Sequence, residues 1–150
     1  MMSNIEVDQS GRMEVLTEDT ALGFSNGYQA SILIPASTKR KASRALRDRG
    51  VRPKMISIRM FAGGVFLLLK SHLNRISTVT IDTEYPGWEP EIKGLLLAHI
   101  RRQASDFANE DIVFGQIGKG SPAHDIAWRT YRGKRTADRK ITAEELLKHC

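Results

Sequence analysis

Cysteine is nearly absent from this sequence: its 150 residues include one, Cys150. A single cysteine cannot form an intrachain disulfide, and it cannot build a cysteine-based zinc site. Such scarcity is typical of proteins in a reducing compartment, so we expect a cytoplasmic location. The first residues, MMSNIEVDQS, show no basic segment followed by an apolar run, and they therefore predict no signal peptide.

Long hydrophobic runs are also missing. The longest, MFAGGVFLLL, has about half of the roughly 20 residues that a membrane-spanning helix needs, so we expect no membrane partner. The sequence contains no internal repeat, no low-complexity tract and no long linker, which predicts one domain over residues 1–150. With 41% hydrophobic and 27% charged residues, a chain of this length can bury one hydrophobic core.

Positive charge, by contrast, is in excess. Lysine and arginine number 23 against 17 acidic residues, and the formal net charge is +6. The basic residues cluster in two segments, 39–49 and 129–140. Solvated faces are the ordinary role of such segments, but this density favours contact with the phosphates of DNA or RNA. The candidates for phosphate contact are Arg40, Lys41, Arg44, Arg132, Lys134 and Arg135.

Local patterns predict an α/β fold. Alternating residues at 4–8 indicate a first strand, and Asn26-Gly27 between two β-prone runs is a strong hairpin signal. The other predicted strands are residues 13–16, 55–58, 77–84 and 111–118. The predicted helices are residues 38–48 after a cap at Ser37 or Thr38, 60–73, 90–102, 123–133 after a cap at Ser121, and a short one after Thr142. Together these elements predict a mixed sheet with helices on both faces, which cover strand 77–84 on both sides.

Acidic residues fall at the ends of the predicted strands. Asp8 ends the first strand, whereas Asp82 and Glu84 end strand 77–84. If these two strands are parallel neighbours, their carboxyl ends meet at the edge where sites form in open α/β sheets. His124 and Asp125 reach the same edge from the first turn of the following helix.

Clustered carboxylates repel one another unless a cation lies between them. Carboxylate oxygens suit the hard ions Mg²⁺ and Mn²⁺, and a pair of such ions can promote phosphodiester hydrolysis. Each acid also has a simpler interpretation. Asp8 can be a turn former, Asp82 and Glu84 a solvated strand end, and Asp125 a first-turn acid that pairs with Arg129 at i,i+4.

The segment GQIGKGS combines a strand end, a glycine-rich turn and the start of a helix, which is a natural site for an anion. Its spacing differs from that of a nucleotide-binding P-loop, because two residues separate Gly115 from Gly118. Lys119, together with backbone N–H groups, can hold a substrate phosphate beside the predicted metal site. The simpler interpretation is a tight connection between strand and helix.

The segments IEVDQSG, VTIDTE and SPAHDIAW, in this order, resemble the ribonuclease H-like nuclease superfamily, most closely its Holliday-junction-resolvase-like branch. The resemblance is topological and spans residues 4–134. It implies a mixed five-stranded sheet and a homodimer. Carried over to this sequence, the implied metal ligands are Asp8, Asp82 or Glu84, and His124 or Asp125. One departure is that the helix at residues 38–48 contains only Asp48, whereas ribonuclease H itself has a catalytic acid on its first helix.

The leading hypothesis is therefore a metal-dependent nuclease that acts on structured nucleic acid. In it, Asp8 and Asp82 bridge Mg²⁺ or Mn²⁺ ions, while Glu84 and Asp125 or His124 complete the coordination. Lys119 holds the phosphate that is cleaved. Two alternatives remain open: a non-catalytic, basic nucleic-acid-binding protein of the same fold, and a protein-interaction module.

Overall fold

The computed structural model of this protein describes residues 3–103 and 106–150. Within these residues the chain forms one β-sheet and five α-helices. The strands are β1 (Ser3–Ser10), β2 (Thr20–Ser25), β3 (Gln29–Ile34), β4 (Ile76–Asp82), β5 (Ile112–Gly115) and β6 (Arg139–Lys140). The helices are α1 (Ala36–Asp48), α2 (Pro53–Leu69), α3 (Glu89–Arg101), α4 (Pro122–Tyr131) and α5 (Ala143–Leu147). Short 3₁₀ segments at Lys70–Arg75 and Asn109–Asp111 precede β4 and β5.

The strands lie in the order β5-β4-β1-β2-β3-β6. Antiparallel pairing joins β1, β2 and β3, and parallel pairing joins β1 to β4 and β4 to β5. The prediction of an α/β fold with a mixed sheet is therefore confirmed. The expected count of five strands is wrong, because β6 adds a sixth strand parallel to β3. Its two residues are too few to produce a periodic pattern, and the backbone nitrogen of Ser31 anchors the segment by donating to Asp138 (2.8 Å).

The hairpin prediction is confirmed. Ser25 pairs with Gln29 across the turn, and Gly27 has a φ of 90°, which a residue with a Cβ rarely adopts. The strand expected at residues 13–16 is absent from the described chain, where this segment forms turns. Met13 is fully buried in the core, and the carbonyls of Arg12 and Val15 accept hydrogen bonds from the Lys39 ammonium instead of a neighbouring strand.

The strand expected at residues 55–58 is also wrong, because these residues belong to α2, which begins at Pro53. Proline suits the first turn of a helix, since its missing N–H would lack an intrahelical partner there. Burial explains the error: α2 is apolar around most of its circumference, so its sequence lacks the one-sided pattern of a surface helix.

Helix caps agree with the sequence at two of three places. Ser121 accepts a hydrogen bond from the Ala123 nitrogen (3.2 Å), and Thr142 caps α5 through the Glu145 nitrogen (3.2 Å). At α1, however, neither Ser37 nor Thr38 is the cap. The helix begins at Ala36, whose nitrogen donates to Asp19 Oδ1 (2.9 Å), and Thr38 donates to the carbonyl of Ile141.

Helices cover both faces of the sheet, as expected. Adjacent residues of β2 show this, because their side chains point to opposite faces. Leu22 lies next to Gly64 of α2, whereas Gly23 lies next to Ile126 of α4. Helices α1, α3 and α5 pack against α2, and α4 lies alone among the described helices over β1, β2 and β3.

The segment Pro53–Arg75 is long and apolar enough to cross a membrane, judged by length and composition only. In this structure 78% of its apolar window is buried inside the fold. The core helix of a soluble protein has the same properties, and α2 packs against β2 and β3 of the sheet and against α1, α3 and α5. The chain is thus a compact α/β domain built around one buried apolar helix.

Candidate metal centre

Parallel pairing of β1 and β4 brings two of the predicted acids together. Val7 pairs with Ile81, so the next residues, Asp8 and Asp82, lie level with each other on neighbouring strands. This is the arrangement that the sequence predicted. Asp82 ends β4, but Asp8 does not end β1, which continues to Ser10 through its pairing with β2. Asp8 is buried, with 5% of its surface exposed, whereas Asp82 is half-buried.

Glu84 reaches the same edge because the chain is fixed on both sides of it. The Thr83 nitrogen donates to the carbonyl of Gly115 (3.0 Å), which ties the end of β4 to β5. Tyr85 is buried against Phe61, with 5.0 Å between ring centroids, and its hydroxyl accepts a hydrogen bond from the Met13 nitrogen (3.3 Å). With both neighbours anchored, the Glu84 side chain is held at the sheet edge.

Together Asp8, Asp82 and Glu84 form an acidic group, which we call the acid triad. One carboxylate oxygen from each residue lies within 4.8 Å of the corresponding oxygens of the other two. Burial raises the pKa of Asp8 above its ordinary value. Burial, a hydrogen bond to Asp82 and the charges of Asp82 and Asp8 raise the pKa of Glu84 to about 8. Without a cation, Glu84 is therefore largely protonated at neutral pH, which relieves the repulsion within the triad.

Hydrogen bonds from neighbouring groups orient the carboxylates of Asp8 and Asp82. Asp8 Oδ1 accepts a hydrogen bond from the Gln9 nitrogen (2.8 Å), and Asp8 Oδ2 lies 2.8 Å from His124 Nδ1. Asp82 Oδ1 accepts from the Ile117 nitrogen (2.8 Å). The last contact also fixes the connection between β5 and α4, the segment that contains Lys119.

Two features place His124 beside Asp8. Ser121, the cap of α4, donates to Glu6 Oε1 on β1 (2.8 Å), which attaches the start of the helix to the strand that contains Asp8. Gly23 then allows α4 to approach the sheet closely. A Cβ at Gly23 would lie 2.9 Å from Ile126 Cγ2 and 3.0 Å from the Ala127 nitrogen. Glycine is therefore the residue that this approach requires.

A surface cavity of about 350 Å³ opens over the triad. Lys119 and His124 line it together with the three acids, so the structure brings five of the predicted site residues to one place. Sequence reasoning missed the neutral residues that complete the lining: Gln9, Thr83, Gln116 and Gly118. Gln9 and Thr83 each follow a predicted acid directly, and Gln116 lies in the predicted glycine-rich turn. This proximity in sequence could have identified them.

Asp125 is not brought to the triad. Its carboxylate is 57% exposed and pairs with Arg129 of the same helix at 3.0 Å. The i,i+4 ion pair is the simpler interpretation considered for this residue. Since successive helical residues point about 100° apart, His124 and Asp125 cannot both face Asp8 from this turn of α4.

The predicted phosphate-contacting residues lie in two places. Arg40, Lys41 and Arg44 are exposed on α1, where Arg40 donates to the carbonyl of Leu16 (2.9 Å). Arg132 and Lys134 are exposed at the end of α4, beside Trp128.

Two basic residues have other partners. Arg135 is partly buried and lies 3.7 Å from Asp138 Oδ2. Lys39, part of the first basic segment, is fully buried, and its ammonium donates to the carbonyls of Arg12 and Val15 and to Thr20 Oγ1. Burial lowers the pKa of Lys39 to about 8. Lys39 therefore holds the β1–β2 connection in place and is not a solvated cation.

A larger cavity, of about 960 Å³, lies at the opposite end of the sheet. Ile76 and Ser77, the first residues of β4, line it, whereas Asp82 is the last residue of that strand. A strand of this length separates the two ends by roughly 20 Å. The larger cavity is therefore distinct from the triad, and most of its lining side chains are uncharged.

The expectation that helices cover both faces of β4 is wrong on one face. Val79 and Ile81, on one face of β4, are fully buried, but Thr78, Thr80 and Asp82, on the other face, are partly exposed. On the face of α4, that helix lies over β1, β2 and β3 and leaves β4 at its margin. The acid triad therefore opens to solvent beside α4.

Comparisons with protein-family models, with curated proteins and with solved structures find no match to this chain.

Proposed function

We propose that this protein is a metal-dependent nuclease that hydrolyses phosphodiester bonds in structured DNA or RNA and has a ribonuclease H-like fold. The observation that carries the proposal is the acid triad: three carboxylates from two distant parts of the chain lie within 4.8 Å of one another on a protein with a net charge of +6. An acidic centre on a basic protein suits a polyanionic substrate held over a cation.

The residues of the triad fit Mg²⁺ or Mn²⁺. Their donors are hard carboxylate oxygens, which these ions prefer. Burial and the neighbouring acids raise the pKa values of Asp8 and Glu84, and a cation between these carboxylates would stabilise their charged forms. Asp8, Asp82 and Glu84 are the proposed ligands, and the bound metal would supply an activated water and neutralise charge on the phosphate.

The chain's own groups perform the remaining tasks. Lys119 lies in the same cavity as the triad and neutralises a non-bridging phosphate oxygen. Asp8 orients the imidazole of His124 through Nδ1. When that nitrogen bears the proton, Nε2 is the acceptor that takes up or returns a proton at a substrate oxygen. Gln9 and Gln116 offer amide groups to sugar or phosphate at the rim of the cavity.

Sheet topology supports the fold assignment within this proposal. Asp8 lies on the first strand, Asp82 at the end of the fourth and His124 on the helix after the fifth, in a sheet ordered β5-β4-β1-β2-β3-β6. These are the positions that the resemblance to the ribonuclease H-like superfamily implies. The same resemblance leads us to propose a homodimer, and the low cysteine content leads us to propose a cytoplasmic location.

A cleavage assay tests the proposal. Duplex, RNA–DNA hybrid and branched substrates are incubated with Mg²⁺, with Mn²⁺ or with EDTA, using wild type and the variants Asp8→Asn and Asp82→Asn. We expect cleavage that requires the metal and falls about 100-fold or more in both variants. Asp125→Asn is the matched control, since its carboxylate lies outside the triad, and it should keep its activity.

Two outcomes contradict the proposal. Cleavage that continues in EDTA, or that survives both substitutions in the triad, shows that these acids do not hold a catalytic metal. Binding of nucleic acid without cleavage of any substrate supports the alternative, a non-catalytic basic protein of the same fold.

A further inference from the structure

One large aromatic side chain on the helix of the candidate site is left exposed. Trp128 of α4 has 40% of its surface accessible, although tryptophan is a residue that folding normally covers. The neighbouring helix positions Ile126 and Ala127 are buried against the sheet. The indole thus lies on the solvent side of the helix, where burial in the core does not explain it.

Two cations surround this indole. Lys134 Nζ lies 5.0 Å from the centroid of the Trp128 ring, and Arg132 Cζ lies 5.9 Å from it. Both basic residues are exposed. An aromatic face next to flexible positive charges is the combination by which proteins bind nucleotides, because the ring stacks on a base while the cations contact the phosphates.

The position of Trp128 relative to the triad sets what this surface can bind. His124, which contacts Asp8 at 2.8 Å, precedes Trp128 by four residues on the same helix. Residues at this spacing point only about 40° apart and are separated by one turn, or roughly 5–6 Å. A nucleotide adjacent to a phosphate at the triad therefore comes within reach of the indole.

We propose that Trp128, Arg132 and Lys134 form a stacking site for an unpaired base next to the phosphate that is cleaved. This inference rests on the proposed function and specifies its substrate: a DNA or RNA strand with at least one unpaired nucleotide at the cleavage point. A base within a regular duplex has both faces covered by its neighbours, so the indole would have no free face on which to stack. Junctions, bulges and single strands satisfy the requirement.

Tryptophan fluorescence and binding test the proposal without cleavage. Oligothymidylate, oligouridylate and a blunt DNA duplex are titrated into the protein in EDTA. We expect both single strands to quench the fluorescence of wild type and to bind more tightly than the duplex. Replacing Trp128 by alanine should weaken single-strand binding by roughly 5- to 150-fold, the range for loss of one stacked base.

Three control variants make the result specific. Trp128→Phe keeps an aromatic face, so it should retain most of the affinity but lose most of the quenching. Trp88→Phe removes the other tryptophan and should leave the quenching in place. Val113→Ala removes an equally exposed apolar side chain, 44% accessible on β5, and should bind like wild type.

The outcomes separate this proposal from the function on which it rests. If Trp128→Ala binds single strands as tightly as wild type, or if Trp128→Phe is still quenched, the stacking site is wrong while the nuclease proposal stands. If wild type binds none of the three nucleic acids in EDTA, the stacking site is wrong, and the cleavage assay with metal and branched substrates decides the nuclease proposal separately. A comparison of oligothymidylate with oligouridylate shows whether the unpaired strand is DNA or RNA.

Discussion

Glu84 should couple metal binding to pH, and replacing it with glutamine should reveal this. Its pKa is raised to about 8, mainly by burial and by the neighbouring acid Asp82. A carboxyl group whose folded pKa exceeds its unfolded value stabilises the protein fully below the unfolded pKa. That contribution is lost as the pH rises through the folded value. Metal-free wild type should therefore lose stability between about pH 4.5 and pH 8.

The size of this loss can be bounded. Full conversion of the difference between the two pKa values, at 1.36 kcal/mol per pH unit, gives an upper limit of about 5 kcal/mol. Glu84 is only partly buried, so water screens the interaction and we expect about 1–2 kcal/mol. For a chain of this size, that difference corresponds to a shift in melting temperature of roughly 2–8 °C.

Metal should reverse which of two proteins, wild type or Glu84→Gln, has the higher melting temperature. Without metal at about pH 8, the variant should melt higher, because its neutral amide avoids the charge that Glu84 acquires. With Mg²⁺ or Mn²⁺ in excess, wild type should gain about 2.7 kcal/mol at a concentration 100-fold above the dissociation constant. The variant should gain much less. At about pH 4.5, where Glu84 is protonated, the two proteins should melt alike.

Calorimetry adds a second measurement on the same residue. At about pH 7, metal binding should release nearly one proton from Glu84, and the affinity should rise between about pH 6 and pH 8. Titrations in buffers of different ionisation enthalpy measure the number of protons released. Metal binding without proton release, together with an affinity that does not change with pH, would refute the account of Glu84.

Two further predictions concern the packing of the fold. Gly23→Val should push α4 away from β1 and lower the free energy of unfolding by about 1–3 kcal/mol, because the new side chain meets Ile126 and the Ala127 backbone. Urea unfolding measures this. Gly94→Ala, on the open side of α3, is the control and should stabilise by about 0.5–1 kcal/mol, so equal effects of the two changes would contradict the packing argument. Burial, together with the positive charges nearby, lowers the pKa of His149 to about 4, so the protein should lose stability as the pH falls from about 6.5 through 4. Urea unfolding at several pH values measures this. In His149→Gln the free energy of unfolding should fall less between about pH 6.5 and pH 4 than in wild type, and an equal fall would contradict the prediction.

Much of the arrangement of the site could be predicted from the sequence, because it depends on patterns that are local. Alternation at the first strand, the turn at Asn26-Gly27 and the apolar residues of strand 77–84 each indicate their element directly. Once β1 and β4 are parallel neighbours, Asp8 and Asp82 must lie at the same edge. The convergence of these acids thus depends on one non-local pairing, which the prediction took as its condition and which the structure shows.

Errors arose where a tertiary contact decided the outcome. Lys39 belongs to a basic segment by composition, yet it is buried because three acceptors from the β1–β2 connection and β2 surround its ammonium. Asp125 follows His124 directly, but the rotation of the helix directs it to Arg129 and away from the triad. The alternation at residues 55–58 suits a strand as well as a fully buried helix, and only packing against the sheet distinguishes the two.

The most direct test of the central claim is a crystal of the protein grown or soaked with Mn²⁺ and measured with X-rays at the manganese absorption edge. We expect an anomalous peak between the carboxylates of Asp8, Asp82 and Glu84, and we expect it to disappear in Asp8→Asn. A peak elsewhere on the molecule, with none at the triad, would contradict the claim that these acids form a metal centre.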